Sequence, residues 1–397
     1  MFERLEPLPP DAIIGIMALF RQDKDPNKVD LSVGVYQDEH GHTPVPECVR
    51  RAEHEILEAQ TTKTYVGIAG NMDFNLGMEN LLFGPAHPAI RDGRVTTLQS
   101  PGGSGGLCVA GHLLRRANPD TRIWLSDPSW PNHLPLLRLA GLRLELYPYY
   151  SREDHAIDFD AMLHCLEQLD AGEVLLLHGC CHNPCGADLS QDHWLKLAEL
   201  CERRGVIPFI DLAYQGLSEG LEQDAYGVRL MAERVPELVV VASCSKNLGL
   251  YRERVGAVSV VSSSGARAKV VASNLANVAR GIYSMPPDHG AAIAGYIMQN
   301  EELRSLWVQE LDVMRHRLNS LRVLLVGKLE ERGSPMDFSF IARERGMFSF
   351  LGLEKDLVVE LREKFHVYMV ESSRINIAGI NRSNVDYVAD SIVSILS

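Results

Sequence analysis

Long apolar runs are absent from this sequence, and none reaches the roughly 20 residues that a membrane-spanning helix requires. The first residues, MFERLEPLPPDAIIG, carry acidic side chains and prolines where a secretory signal would carry a basic segment followed by an apolar one. These two absences lead us to expect a cytoplasmic protein that has no membrane-embedded segment.

An excess of positive charge is absent as well, because 39 lysines and arginines stand against 52 acidic residues and the formal net charge is −13. A nucleic-acid-binding protein needs a basic face for the phosphate backbone. Here the basic residues are scattered, as in RRAEHE and LLRRAN, with the pattern of solvent-exposed helix faces. We therefore expect no nucleic-acid partner.

Cysteines are few, eight in 397 residues, and without a signal peptide they indicate reduced thiols instead of a disulfide framework. The segment HGCCHNPCG, residues 178–186, crowds three cysteines and two histidines together. A structural zinc site usually shows two ligand pairs, and the other cysteines stand singly. Adjacent strand residues such as Cys180 and Cys181 also point to opposite faces. We expect no metal site.

Residues 95 to 260 alternate short apolar segments with amphipathic helical stretches. Several apolar segments are nearly continuous, as in strands of a sheet that is covered on both faces. The alternation predicts the α/β class, with a mostly parallel sheet between helices. Gly205 is the predicted C-cap of the helix SQDHWLKLAELCERRG. The predicted strands are RVTTLQS, RIWLSDPSW, RLELYPYY, VLLLHGCCHNP, VIPFIDLAYQG, LVVVASCSKN and VGAVSVVS.

The length of the chain suits a large domain with a smaller companion. After about residue 300 the pattern changes to long helices and a few strands, including GMFSFLGL, which indicates a smaller α+β unit. We predict an N-terminal arm and part of the small domain in residues 1–45, the large domain in 46–305, and the rest of the small domain in 306–397.

Polar segments stand where four of the predicted strands end. They read SDPSW, HNPCG, DLAYQ and SCSKN. Because ligands of such sheets bind beyond the carboxyl ends of the strands, these segments predict a binding site at one edge of the sheet.

Three sequence features near these strand ends, namely Lys246, the turn SPGGSGG and Asp211, indicate what the site could bind. Lys246 in SCSKNLGL is either a solvated surface residue or a lysine that forms a Schiff base, with Arg252 and Arg254 close enough in sequence to lower its pKa or to bind a phosphate. The glycine-rich turn SPGGSGG leads into a helix and is either a flexible turn or an anion site. It matches neither a Walker motif nor a dinucleotide fingerprint.

Asp211 in PFIDLAYQG ends a very apolar strand. It is either a helix cap or a carboxylate that faces a cation, because a buried unpaired carboxylate is costly. A Schiff-base lysine, an anion-binding turn and an aspartate for a pyridinium nitrogen are together what pyridoxal phosphate requires.

The whole chain resembles the class I aminotransferases of fold type I, in the aspartate and aromatic amino acid subgroup. The blocks that carry the resemblance are DPSWPNH, HGCCHNPCG, DLAYQG, SKNLGLYRERVGA, YSMPPDHGA and RINIAG. The resemblance implies a large domain on a mostly parallel sheet, a smaller α+β domain, pyridoxal 5′-phosphate as the cofactor, and a homodimer with shared active sites.

The resemblance also implies roles for individual residues. Lys246 would form the Schiff base and shuttle the proton, Asp211 would pair with the ring nitrogen, and His133 would orient Asp211. Tyr214 and Asn183 would bind the phenolic oxygen of the ring, and Trp130 would stack on it. The phosphate would be held by Gly103, Ser104, Ser243, Arg254 and, from the neighbouring subunit, Tyr65. In this interpretation the segment HGCCHNPCG places Asn183 at the end of a strand, and its cysteines are packing residues.

For the substrate, the resemblance implies that Arg374 grips the α-carboxylate in a pocket lined by Gly34. Arg280 would take the distal carboxylate of a dicarboxylic substrate across the dimer interface. The implied reaction moves an amino group between aspartate, glutamate or an aromatic L-amino acid and a 2-oxo acid such as 2-oxoglutarate. The sequence does not decide between aspartate and aromatic substrates.

Four positions depart from the usual family pattern: Cys185, Cys244, Gly102 and Met285. They leave the phosphate affinity and the substrate preference open. Two alternative functions are a β-lyase or decarboxylase with the same cofactor, and a sensor domain of a regulator. A sensor would need a fused DNA-binding module, for which this chain has neither the length nor the charge.

Overall fold

The computed structural model describes residues 1–7 and 12–397, and these residues form two compact units. The large unit comprises Pro44–Asn183 and Ala187–Arg317, and the small unit comprises Met1–Thr43, Pro184–Gly186 and Leu318–Ser397. The small unit is therefore assembled from both ends of the chain and a three-residue segment between them.

Seven strands form the main sheet of the large unit, and each overlaps a segment predicted as a strand. They are β1 (Val95–Pro101), β2 (Arg122–Asp127), β3 (Arg143–Pro148), β4 (Val174–His178), β5 (Ile207–Leu212), β6 (Leu238–Ser243) and β7 (Val255–Val261). Their order in space is β1-β7-β6-β5-β4-β2-β3. β7 is antiparallel to both neighbours, whereas the other neighbouring pairs are parallel. The predicted mostly parallel sheet is confirmed.

The interior strands are covered on both faces. Every residue of β6 is buried, and successive residues of a strand point to opposite faces, so both faces of the sheet meet other elements. Leu107 of the helix Gly102–Ala117, Ile123 of β2 and Val241 of β6 belong to one apolar core. The other helices of this unit are Glu47–Ala59, Met72–Phe83, Pro88–Arg91, His133–Leu139, Phe159–Leu166, Gln191–Arg204, Tyr226–Arg234, Gly265–Ile282 and His289–Gln299, and a short hairpin pairs Tyr150–Ser151 with Ala156–Ile157.

The helix Gln191–Arg204 begins and ends where its sequence predicts. Ser190 Oγ accepts a hydrogen bond from His193 N at 3.2 Å, and the His193 ring accepts one from Ser190 N at 3.4 Å, which satisfies two amides at the helix start. Gly205 follows the last turn with a φ of +69°, the left-handed conformation in which glycine is unstrained. The predicted C-cap is confirmed.

The small unit contains two short two-stranded sheets with helices around them. Val29–Asp30 pairs in parallel with Val367–Tyr368, and Phe348–Phe350 pairs antiparallel with Arg374–Asn376. This mixture confirms the predicted α+β character. Residues 8–11 of the predicted N-terminal arm lie outside the described residues. The helices are Ala12–Gln22, Phe340–Arg343, Lys355–Phe365 and Val385–Leu396, with 3₁₀ turns at Phe2–Arg4 and Ile377–Gly379.

One helix of 31 residues, Glu301–Glu331, contains the boundary between the two units and confirms the long helix predicted after residue 300. Charged residues recur along its whole length. Over residues 1–7 and 12–397, no helix is both long and apolar enough to cross a membrane.

Candidate active site

Four segments that follow neighbouring strands place predicted site residues at one edge of the sheet. β2, β4, β5 and β6 run parallel, so their carboxyl ends lie on the same side. Trp130 follows β2, Asn183 follows β4, Tyr214 follows β5 and Lys246 follows β6. This edge is where α/β sheets of this kind bind their ligands.

Lys246 lies three residues beyond the end of β6, and its Nζ is 4.9 Å from the centre of the Tyr214 ring. Burial lowers the pKa of this amine from 10.5 to about 8, although the negative charge of Asp211 opposes the shift. The positive charge of Arg254 lowers the pKa further. At pH 7 about a tenth of the amine is therefore neutral, far more than in an ordinary lysine, and the neutral form is the one that attacks a carbonyl carbon.

Asp211, in β5, is held by His133. His133 Nε2 lies 2.9 Å from Asp211 Oδ2, and the ring must donate because a carboxylate only accepts. Burial by itself would raise the pKa of Asp211, but the hydrogen bond and charge of His133, together with the charge of Lys246, lower it below its ordinary value. The carboxylate stays ionised and oriented.

Two further residues support His133, and the sequence did not single them out. Ser129 Oγ lies 2.9 Å from His133 Nδ1 and 3.2 Å from His178 Nε2. The rings of His133 and His178 meet edge to face at 5.2 Å. Burial lowers the pKa of His178 to about 3, and the neighbouring His133 adds to this shift, so His178 is neutral. His178 could have been noticed in the sequence, because it is the first residue of the segment HGCCHNPCG.

Tyr214, Asn183 and Trp130 each contact another predicted site residue. Asn183 Nδ2 donates to Tyr214 Oη at 3.4 Å, and both residues are buried. Trp130 meets the ring of His133 edge to face at 5.2 Å. The structure thus connects five of the predicted residues, Lys246, Asp211, His133, Tyr214 and Asn183, through direct contacts or charge interactions.

The glycine-rich turn lies against Arg254. Gly102 has a φ of +70°, and a Cβ there would lie 2.4 Å from Arg254 Nη2, so this position accepts only glycine without rearrangement. A Cβ on Gly103 would contact Ser243 Cβ at 3.4 Å. The positive φ and the close approach of Arg254 favour glycine at position 102 in this chain.

The same turn opens the 16-residue helix Gly102–Ala117, whose first turn contains Ser104 and has no side-chain cap. Opposite it, Arg254 Nη1 donates to Ser245 Oγ at 3.4 Å, and Ser243 Oγ donates to Ser245 Oγ at 3.1 Å. Free helix amides, two hydroxyls and a guanidinium suit a phosphate. Sequence reasoning missed Ser245, although it directly precedes Lys246.

The cysteines of HGCCHNPCG are buried and line no metal site. The backbone amides of Cys181 and His182 donate to the Asp188 carboxylate at 2.8 and 2.9 Å, which fixes the path of the chain just before Asn183. Cys180 and Cys185 are buried as well. Outside residues 8–11, no group of three His, Cys, Asp or Glu side chains could hold a metal ion.

Cys244 and Met285 are two further positions that depart from the usual family pattern. Cys244 is buried with its Sγ 3.9 Å from Met78 Sδ, so it fills the core beneath Lys246. Nothing in the structure explains Met285.

Tyr65 and Arg280 lie on the surface of the large unit. Tyr65 is 88% exposed, and Arg280 is exposed with its Nη1 donating to Ser284 Oγ at 2.7 Å. Among the described residues, neither makes a hydrogen bond or ion pair with the residues around Lys246. Within one chain, therefore, the structure does not bring these two residues into the cluster.

Arg374 and Gly34 belong to the small unit and meet around Phe348. The Arg374 guanidinium carbon lies 4.4 Å from the centre of the Phe348 ring, and its Nη2 donates to Ser32 O at 2.9 Å. A Cβ on Gly34 would lie 3.0 Å from Phe348 Cζ. Arg374 is 4% exposed, so its orientation is fixed. Phe348 was predicted only as part of a strand.

The sequence and the fold both match known proteins. A profile of aminotransferase class I and II matches residues 26–392. The chain is 46% identical over 396 residues to aspartate aminotransferase of Salmonella typhi, with 100% of both chains covered. It is 42% identical over 395 residues to aromatic-amino-acid aminotransferase of Paracoccus denitrificans, again with full coverage of both. Aromatic-amino-acid aminotransferase from Burkholderia pseudomallei, covalently bound to pyridoxal phosphate, has a similar structure, with a TM-score of 0.98, 42% identity and full coverage of both chains.

Proposed function

Because the chain belongs to the class I and II aminotransferase family, we propose that it uses pyridoxal 5′-phosphate to move an amino group between an amino acid and a 2-oxo acid. The amino acid is aspartate, glutamate or an aromatic L-amino acid, and the acceptor is a 2-oxo acid such as 2-oxoglutarate. The full-length relatives named for aspartate and for aromatic amino acids support this reaction over that of a β-lyase or decarboxylase.

The observation that carries this proposal is a buried Lys246 amine that feels the charges of both a carboxylate and a guanidinium. Burial lowers its pKa to about 8, the charge of Asp211 opposes that shift, and the charge of Arg254 adds to it. When bound, the cofactor supplies a carbonyl carbon for the amino group and a ring that withdraws electrons from the substrate α-carbon. The amine, the carboxylate and the guanidinium fit the aldehyde, ring nitrogen and phosphate of that one molecule.

Lys246 would hold the cofactor through Nζ and, once released, would move a proton. In its neutral form Nζ would accept the proton that leaves the substrate α-carbon and would return it as the amino group is transferred. Because burial lowers the pKa of Nζ to about 8, the neutral form that accepts a proton is more available near neutral pH than in an exposed lysine.

Asp211 keeps the ring nitrogen protonated. Its lowered pKa leaves the carboxylate ionised, and an ionised carboxylate in a buried site stabilises an opposite charge strongly. His133 fixes the orientation of that carboxylate through the 2.9 Å hydrogen bond. Tyr214 and Asn183 would hydrogen-bond the phenolic oxygen of the cofactor, and Trp130 would stack on its ring.

The phosphate is bound where helix Gly102–Ala117 begins. Gly103 and Ser104 offer backbone amides, and Ser243, Ser245 and Arg254 offer hydroxyl and guanidinium donors. Tyr65 of the partner subunit adds a further hydroxyl.

Two arginines select the substrate. Arg374, fixed by Phe348 and the Ser32 carbonyl, binds the α-carboxylate that every amino acid carries, in a pocket that Gly34 lines. Arg280 of the partner subunit binds the distal carboxylate of a dicarboxylic substrate.

The functional unit is a homodimer with two shared sites. An exposed tyrosine such as Tyr65, followed by the exposed apolar residues Val66, Met72 and Leu76, has the character of an interface with another protein surface. Burial of this surface by a second copy would also explain why Tyr65 and Arg280 lie apart from the Lys246 cluster within one chain.

The experiment that tests the reaction is a steady-state comparison of aspartate, phenylalanine, tyrosine and tryptophan, each with 2-oxoglutarate. We expect glutamate formation from aspartate or from an aromatic amino acid, and no release of ammonia or carbon dioxide. Release of either gas without an amino-group acceptor would contradict the proposed reaction and favour a lyase or decarboxylase.

A further inference from the structure

Gln99 is a buried polar residue in an edge strand. β1 has a neighbour, β7, on one side only, and Gln99 stands opposite Ala257 in that pairing. An edge strand presents unpaired backbone groups on its outer side. Gln99 is nevertheless 0% exposed, so both its backbone and its side-chain amide must find partners within the protein.

All four polar groups of Gln99 are bonded to two segments of the chain. Its backbone N donates to Ala69 O at 3.0 Å, and its Oε1 accepts from Asn71 N at 2.8 Å. Its Nε2 donates to Pro287 O at 2.7 Å, and its backbone O accepts from Tyr283 Oη at 3.2 Å. Asn71 N only donates and Pro287 O only accepts, so the orientation of the side-chain amide is fixed.

The two segments are also adapted to this side chain and to each other. Gly70 has a φ of +83°, and a Cβ there would lie 2.3 Å from Gln99 Oε1, so the backbone approaches Gln99 as closely as glycine allows. Asn71 Nδ2 donates to Asp288 Oδ1 at 3.2 Å. We call Gln99 with residues 69–71 and 283–288 the Gln99 clamp.

The clamp lies at the base of the segments that carry Tyr65 and Arg280. Tyr65 stands four residues before Ala69, and Arg280 stands three residues before Tyr283. Both side chains are exposed, and the Arg280 side chain donates a hydrogen bond to Ser284 within the clamp, so the direction of the two side chains depends on the backbone that carries them. On the other side, Gln99 precedes the phosphate turn at Gly103 by four residues.

We propose that Gln99 is a positioning residue that sets the direction of Arg280 and Tyr65 toward the neighbouring subunit's active site. This inference rests on the proposed function, because it assigns Gln99 a part in dicarboxylate recognition by Arg280. Gln99 touches neither substrate nor cofactor and acts through the two segments that it bonds. A misplacement of about 1 Å in a recognition group can reduce the rate by about 100-fold, so loss of the clamp is measurable.

Two substitutions remove different sets of the side-chain hydrogen bonds of Gln99. Gln99→Glu keeps an oxygen that accepts from Asn71 N, but it replaces the amide group that donates to Pro287 O with a second oxygen. It therefore removes the side-chain hydrogen bond to the segment 283–288, which follows Arg280. Gln99→Met has a similar volume and removes both side-chain hydrogen bonds. Should Gln99→Glu fail to fold, Gln99→Met carries the test.

A matched control is Gln215→Glu. Gln215 is 2% exposed, and its Nε2 donates to two backbone carbonyls, those of Leu81 and Leu221, away from both segments of the clamp. The control thus reproduces the loss of a buried amide donor without touching the clamp.

The first measurement is the ratio of kcat/KM for aspartate to kcat/KM for phenylalanine in the holoenzyme. We expect both Gln99 variants to lower this ratio by about 10-fold, less than Arg280→Ala does, because a misdirected arginine still binds part of the time. Gln215→Glu should leave the ratio at the wild-type value, whatever it does to stability, since a general loss of stability affects both substrates alike.

The second measurement is amide hydrogen exchange of the holoenzyme, which does not depend on the reaction. Gln99→Met should exchange faster in both 69–72 and 283–289, whereas Gln99→Glu should exchange faster mainly in 283–289. Gln215→Glu should leave both segments as they are in the wild type.

The outcomes separate the two proposals. A lower ratio with faster exchange supports the clamp. If Arg280→Ala lowers the ratio while both Gln99 variants keep the wild-type ratio, the positioning role of Gln99 is overturned. If Arg280→Ala itself leaves the ratio unchanged, the role of Arg280 in the proposed function is wrong, and exchange alone decides: faster exchange in both segments of Gln99→Met supports the clamp, and unchanged exchange overturns it.

Discussion

His133 donates a 2.9 Å hydrogen bond from Nε2 to Asp211 Oδ2, and this bond joins the end of β5 to the helix that follows β2. The His133 ring is itself fully buried and is held by Ser129 from its other nitrogen. The carboxylate is therefore ionised, oriented and directed at the space beside Lys246 before any ligand enters. Preorganised charge of this kind is usually the largest contribution to catalysis.

We predict that Asp211→Asn lowers kcat by at least about 100-fold, because a neutral amide cannot hold the ring nitrogen protonated in a buried site. Asp211→Glu keeps the charge and should recover part of the loss. Steady-state kinetics at saturating cofactor measure both variants. An Asp211→Asn enzyme within a few-fold of the wild-type kcat would contradict the role of this carboxylate.

The pH dependence of Lys246 follows from its lowered pKa. In the cofactor-free protein, labelling of Lys246 by trinitrobenzenesulfonate should rise with a midpoint near pH 8 instead of 10.5, since only the neutral amine reacts. Arg254→Met removes a positive charge and should raise the midpoint, whereas Asp211→Asn removes a negative charge and should lower it. Peptide mass spectrometry measures the labelled fraction at each pH. Equal shifts in the same direction would contradict the assigned electrostatics.

Substitution of the two substrate arginines, Arg280 and Arg374, should affect aspartate and phenylalanine differently. Arg280→Ala should lower kcat/KM for aspartate by the 2–5 kcal/mol that loss of one partner of a shielded ion pair typically costs, or roughly 30-fold to several-thousand-fold. The loss for phenylalanine should be small, because an aromatic ring forms no such pair. Arg374→Ala should reduce both substrates alike, since both carry the α-carboxylate. Equal losses for the two substrates in Arg280→Ala would refute the dicarboxylate role.

Mixed dimers test the shared sites. A Lys246→Ala dimer should have no activity toward aspartate, and an Arg280→Ala dimer should have little. A heterodimer of the two chains, however, contains one site with an intact lysine from one chain and an intact arginine from the other. Equal mixing should restore about a quarter of wild-type aspartate activity, because half of the dimers are mixed and each has one complete site. No recovery after proven subunit exchange would argue against shared sites.

The fold was predictable because its signals are local. The strands were predicted from nearly continuous apolar segments, and Gly205 from its place after an amphipathic helix. Lys246 and Asp211 could be placed at one edge because parallel strands end on the same side of a sheet.

The contacts between loops could not be predicted from the sequence. Ser129, His178 and Ser245 are common residue types, and only the folded chain shows that they support His133 and Arg254. Gly102 departs from the family pattern, and the close approach of its backbone to the Arg254 side chain joins two segments 152 positions apart in the sequence. Gln99 and Phe348 were missed for the same reason, because their partners lie far away along the chain.

The central claim, that Lys246 holds the cofactor and moves the proton, is tested most directly by Lys246→Ala. The purified wild type should be yellow, with the absorption of pyridoxal phosphate bound to a lysine, and reduction with borohydride should attach the cofactor to the peptide that contains Lys246. Lys246→Ala should bind added cofactor without this attachment and should show no turnover with aspartate or phenylalanine. Near-normal turnover in Lys246→Ala, or attachment of the cofactor to another lysine, would contradict the account.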